Sequence, residues 1–164
     1  MKRTDIHLPA VKEMYDKTLL TGGPIPAYGF GGAGFAHAIV TEGGKTLRLS
    51  GFPAISMNGV VGKGDMGVQV TQALGHLNAT LEAAGATWDD LVHMIFYYTD
   101  REQFWAKCIP ARIEFFKRHS KTGKMPCVTS VGVTSLMHPD MMIEIDATAV
   151  FEPERPLSVC QAPS

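Results

Sequence analysis

Three features of the sequence predict a single α/β domain in which one mixed sheet carries both helices on the same face. Apolar runs fall in the order β-β-α-β-α-β-β. A helical stripe between residues 65 and 85 separates the first strand pair from the rest. The run at 91–98 is apolar on both parities, the mark of a strand covered on two sides. At 164 residues the chain is long enough to bury one sizeable core and too short to argue for two.

Residues 1–33 are weakly patterned and end in TGGPIPAYGFGGAG, rich in Gly and Pro, so an irregular extension is expected there. The GFGGAG run lacks both a preceding strand and a following GK[ST], so it does not read as a phosphate-cradling loop. The domain proper is expected at 34–152. FAHAIVTEG and KTLRLSGF, separated by Glu42-Gly43-Gly44, carry a hairpin signature. A turn follows at Ser56-Met57-Asn58-Gly59.

Asp65 is placed to cap a helix whose Val70, Leu74, Leu77, Leu81 and Ala84 form one apolar stripe, and Gly85 is placed to end it. A second helix is expected over about 103–118, with Trp105, Ile109, Phe115 and Phe116 inward and a kink or restart at Pro110. Lys117, Arg118 and His119 suit its C-terminal end. CVTSVGVTS (127–135) and MMIEIDATAVFE (141–152) read as the last strands, joined by a turn at 137–140. The proline-rich residues 153–164 read as an irregular tail. With both helices on one face, the other face is left bare, which predicts association with further copies.

Lys plus Arg number 15 against 16 Asp plus Glu, so no electrostatic pull toward phosphate backbones exists and nucleic acid is not an expected partner. No apolar run reaches the roughly 18 to 20 residues that span a bilayer, and the charged start MKRTDIHLPAVKEMYDK does not resemble a signal peptide, so a cytoplasmic protein without a membrane partner is expected. Cys108, Cys127 and Cys160 are widely spaced without a CxxC, which fits a reducing compartment. His7, His37, His76, His93, His119 and His138 show no paired ligand spacing, so no metal site is expected.

In the strand MMIEIDATAV, alternation sends Ile143, Ile145, Ala147 and Ala149 to one face and Met142, Glu144, Asp146, Thr148 and Val150 to the other. Two carboxylates on a non-helix face serve either as a solvated or interface-paired strand or as part of an active site.

The residues that decide between these readings also carry a resemblance. SGF after the first strand pair, QALGHLNATLEAAGATWDDLV, the strand end FYYTD and the terminal MMIEIDATAV resemble the RidA/YjgF family of reactive-intermediate deaminases over about 35–151. The resemblance implies a chorismate-mutase-like fold, a homotrimer with its sheets in a central barrel, clefts between subunits and no cofactor. It further implies hydrolysis of a small enamine or imine to a ketone and ammonia. Glu144 stands at the family's cleft glutamate, and a carboxylate there can aim water and move its proton. Asp146 keeps the structural reading.

Ser50 and Gly51 match the family's serine-glycine strand, followed by Phe52; a serine at a strand end is otherwise structural. Phe35 stands where the family has tyrosine, keeping an aromatic wall without its hydroxyl, and ordinary core packing explains it equally well. His37 shares its strand face and could act as acid or base near neutral pH or simply satisfy a hydrogen bond. The family's Pro-x-Arg-Ser-x-Val reads Pro126-Cys127-Val128-Thr129-Ser130-Val131 here. Val128 thus replaces the arginine that clamps a substrate carboxylate, and Thr129 and Ser130 complete that wall.

Cys127 reads as a small packing residue. Cys108 or Ile109 replaces a polar amide, with Trp105 beside them as a further wall. The expectation is an enamine or imine hydrolase for a ligand more aromatic or apolar than an amino-acid imine. The alternative is a non-catalytic trimeric ligand-binding or regulatory protein that kept the cleft and lost the chemistry.

Overall fold

The structure, a computed structural model, describes residues 1–6, 36 and 38–152. Its centre is a four-stranded sheet of β3 (Lys45–Pro53), β6 (Leu91–Tyr98), β7 (Cys127–Gly132) and β8 (Ile143–Phe151), in the order β3-β8-β6-β7. β8 runs antiparallel to both β3 and β6, and β7 pairs parallel with β6. β1 (Lys2–Ile6) and β2 (Ala38–Glu42) form a separate antiparallel ribbon, and β4 (Ile55–Ser56) and β5 (Gly59–Val60) a small hairpin. Its turn is the one expected at 56–59.

Helix α1 (Met66–Ala83) forms for the reasons its sequence states. Asp65 Oδ1 accepts from the Gly67 amide at 2.9 Å, and Val70, Leu74, Leu77 and Leu81 are fully buried. At the other end Gly85, at φ +75°, donates to the Glu82 carbonyl while Ala86 donates to that of Leu81. This paired closure uses the left-handed backbone that glycine adopts without strain.

Helix α2 runs from Arg101 to His119 in three pieces: Arg101–Gln103, a π turn Phe104–Cys108, and Ile109–His119. Pro110 has no amide to continue the ladder from below, and the helix restarts beside it, as expected. Ile109, Phe115 and Phe116 are buried and Trp105 is half-buried; Phe104, Cys108 and the charged Arg112 are buried as well, a wider buried side than the stripe implies.

Both helices pack on one face. Ile143, Ile145, Ala147, Ala149 and Phe151 of β8 are buried, as are Met94 and Phe96 of β6, while Glu144, Asp146, Thr148, Ile95 and Tyr97 are only half-buried on the other. The double coverage expected of β6 is therefore complete on the helix side alone. Each fully buried Leu, Phe or Met adds about 1.5–3 kcal/mol of transfer free energy, so stability lives in this helix-side layer.

Two expectations fail at the N-terminal side. Residues 2–6, expected to be irregular, are a strand. Among the described residues β2 pairs with that strand and not with β3, so 38–53 is not the hairpin its Gly-Gly signature suggests. The physical reason is visible in Arg3: its side chain is 4% exposed, ion-paired to Asp5, and donates to the carbonyls of Asp89, Leu91 and Met125. Three partly buried acceptors near the start of β6 and β7 hold β1, and β1 pairs with β2.

Candidate functional site

β8 puts Glu144 on the open face, and β3 shapes the ground beneath it. The β3–β8 register slips between Leu49 and Phe52, a bulge that leaves Ser50 and Gly51 out of regular pairing beside Glu144. The Glu144 carboxylate lies against Gly51 so closely that any Cβ there would collide with it. A side chain at 51 would push the end of the Glu144 side chain aside. Ser50 is exposed next to it, and Phe52 turns to the helix side and packs on the core.

Across the sheet Tyr97 stands opposite Glu144, and its hydroxyl donates to Asp146 Oδ2 at 3.4 Å, a long contact. Partial burial, then the carboxylates of Asp146 and Glu144, push the Tyr97 phenol above its usual range. It stays protonated and able to donate. Tyr97 is a site neighbour that the sequence reading missed; its signal is the pairing of FYYTD with IEID, which only the register supplies.

The other candidates lie at the far edge. Val128 faces the helix side and packs half-buried against the core, while Thr129 and Ser130 are exposed on β7. Trp105 is half-buried against the same core and meets Phe104 edge-on with ring centroids 5.6 Å apart. Since β3 and β7 are the two outer strands, Glu144 on β8 lies two strand spacings from Val128, and Ser50 and Gly51 on β3 lie three, about 10–14 Å. The fold brings the candidates together as two groups and does not join them within one chain. Phe35 and His37 lie outside the described residues.

Burial raises the Cys127 thiol, against the pull of Arg3, so it is no activated thiolate. Cys108 is pushed up by burial to about 12. Among the described residues no three His, Cys, Asp or Glu side chains converge as metal ligands, and no helix is long and apolar enough to cross a membrane.

A mixed sheet with two helices on one face, and a glutamate held over a glycine bulge on the other, define an α+β protein of the YjgF type. The comparisons agree. The family model described as Endoribonuclease L-PSP matches residues 32–151. Among curated proteins, the RutC family protein PH0854 of Pyrococcus horikoshii is 32% identical over 112 residues, 68% of this chain and 83% of that protein. The RutC family protein YjgH of Escherichia coli is 29% identical over 118 residues, 68% of this chain and 87% of its own. Among solved structures, the Rid family protein YyfB from Yersinia pestis, described as of unknown function, matches with a TM-score of 0.67 at 28% identity, over 92% of this chain and all of that one. The chain belongs to the RidA/YjgF family.

Proposed function

We propose that this chain is a cofactor-free hydrolase that deaminates an enamine or imine in a cleft shared between copies, with Glu144 positioning the attacking water. The observation that carries the reading is the Glu144 side chain lying over the Cβ-less Gly51, which presents a carboxylate on an otherwise weakly covered face. A carboxylate so placed can accept a proton from water as it attacks the imine carbon and return it to the leaving nitrogen, a role worth about 10²–10⁴-fold in rate.

The splitting of the candidate residues between two edges supports the shared cleft. Glu144, Ser50 and Gly51 of one subunit would meet the wall formed by Trp105, Val128, Thr129 and Ser130 of another, and a homotrimer supplies three such meetings. Val128 in place of a cation, with Trp105, favours a small substrate with an apolar or aromatic body. A cytoplasmic setting suits the reduced cysteines.

The test is ammonia release from cyclic and aromatic imines by the wild type and Glu144→Gln. The reading expects turnover that falls by about 100-fold or more in the variant. Equal rates would remove Glu144 from the mechanism. Absence of turnover in the wild type, together with tight binding of the same compounds, would favour a ligand-binding protein.

A further inference from the structure

Gln69 is 0% exposed, on the buried side of α1 with Val70 and Ala73. A buried carboxamide costs stability unless its polar atoms find partners. Those of Gln69 find three outside the helix. Its Nε2 donates to the Asp140 carbonyl at 2.8 Å and to the Gly62 carbonyl at 3.2 Å, and its Oε1 accepts from the Met142 amide at 2.8 Å. One side chain thus ties α1 to the segment after the β4–β5 hairpin and to the segment that enters β8. The apolar stripe of α1 would be continued as well by a leucine at 69, so the helix alone does not require an amide there.

The tie at Met142 bears on the open face. The Met142 carbonyl accepts from the Thr99 amide at 3.0 Å, just past the end of β6, so this residue is held through its N–H by the helix and through its C=O by the neighbouring strand's exit. β8 begins at the next residue, with Ile143 opposite Tyr98 and Glu144 opposite Tyr97. On its other side Glu144 pairs with Pro53, beyond the slip in β3. A strand rises about 3.3 Å per residue, and a slip of one residue would turn Glu144 to the helix face. Fixing the entry of β8 therefore fixes both the height and the face of Glu144.

We infer that Gln69 is a positioning residue for the reaction, setting the place of Glu144 on the open face from the opposite side of the sheet through the Met142 amide. The inference rests on the reading of Glu144 as the group that aims water. Gln69 itself makes no contact with substrate.

Turnover, and the carboxyl carbon resonance of Glu144 read by NMR, are measured together in the full chain. Gln69→Leu removes all three ties. It is expected to shift that resonance and to lower kcat per folded molecule by about tenfold or more with KM within about threefold, since a misplacement near 1 Å can cost about 100-fold. Gln69→Glu, kept neutral by burial, still accepts from Met142 and donates to Asp140, so its kcat is expected within about threefold of wild type. Leu77→Ala, a destabilised core control, is expected to leave both readouts in place. In a Glu144→Gln background the loss caused by Gln69→Leu is expected to vanish. In the wild type the Met142 amide is expected to exchange its hydrogen at least about 100-fold more slowly than an open amide, a measurement that needs no variant to fold. An unprotected Met142 amide, an unmoved resonance in Gln69→Leu, an equal loss of kcat in Leu77→Ala, or a loss that persists in the Glu144→Gln background would each overturn the inference. Wild-type turnover by Glu144→Gln alone, with the resonance still moved by Gln69→Leu, overturns the reading of Glu144 instead, and with it any catalytic effect of Gln69.

Discussion

The two faces of the central sheet follow opposite rules. On the helix side, residues of β6 and β8 alternate into a layer where Leu74, Leu77, Leu81, Met94, Phe96, Ile143 and Ile145 are fully buried. On the other side the same strands show Ile95, Tyr97, Glu144, Asp146 and Thr148, half-covered and mostly polar. The first face holds the fold together; the second presents a carboxylate beside the Gly51 bulge. The difference teaches where substitutions should act: the helix face on stability, the open face on chemistry.

The sharpest way to break this division is Glu144→Gln, which should lower imine turnover by about 100-fold or more while moving Tm little. A large loss of Tm, read by calorimetry, would place Glu144 among the structural residues instead. Leu77→Ala tests the converse. It should cost about 3 kcal/mol in denaturant unfolding, through lost transfer energy and the cavity left behind, with turnover per folded molecule unchanged.

Gly51→Ala lies on the boundary between the two. The added methyl displaces the Glu144 carboxylate, and a shift near 1 Å can lower kcat by about 100-fold. If kcat holds, the bulge does not position the glutamate.

A smaller effect sharpens the contrast from outside the site. Partial burial disfavours the Asp89 carboxylate, but donors from Ser120, Thr122 and the Lys121 and Thr122 amides outweigh it and lower its pKa. A depressed folded-state pKa means that Asp89 stabilises fully above the unfolded carboxylate value of about 4 and loses that contribution as pH falls through the lower folded value. Thermal unfolding of Asp89→Asn should therefore show a shallower acid limb than the wild type below about pH 4. An unchanged limb would remove Asp89 from it.

Much of the fold was legible because its signals are local. The Asp65 cap, the stripe from Val70 to Leu81 and the Gly85 closure lie within a single helix, and the alternation in β8 lies within a single strand. Pairing partners were not legible. Gly43-Gly44 reads as a hairpin turn, yet β2 is claimed by β1 through contacts of Arg3 with residues some 86 to 122 positions away.

The site was legible to the same degree. Glu144 and Gly51 were found separately, through a family motif, while their contact depends on a bulge that no local pattern announces. Tyr97 escaped notice because an aromatic in an apolar strand is ordinary in sequence. Only its register opposite Glu144 makes it unusual.

The central claim is that the two halves of the site, at opposite edges of one sheet, are joined by a neighbouring copy. Sedimentation equilibrium of the full chain at micromolar concentration measures this directly. A trimer is the predicted species, and a stable monomer would contradict the account.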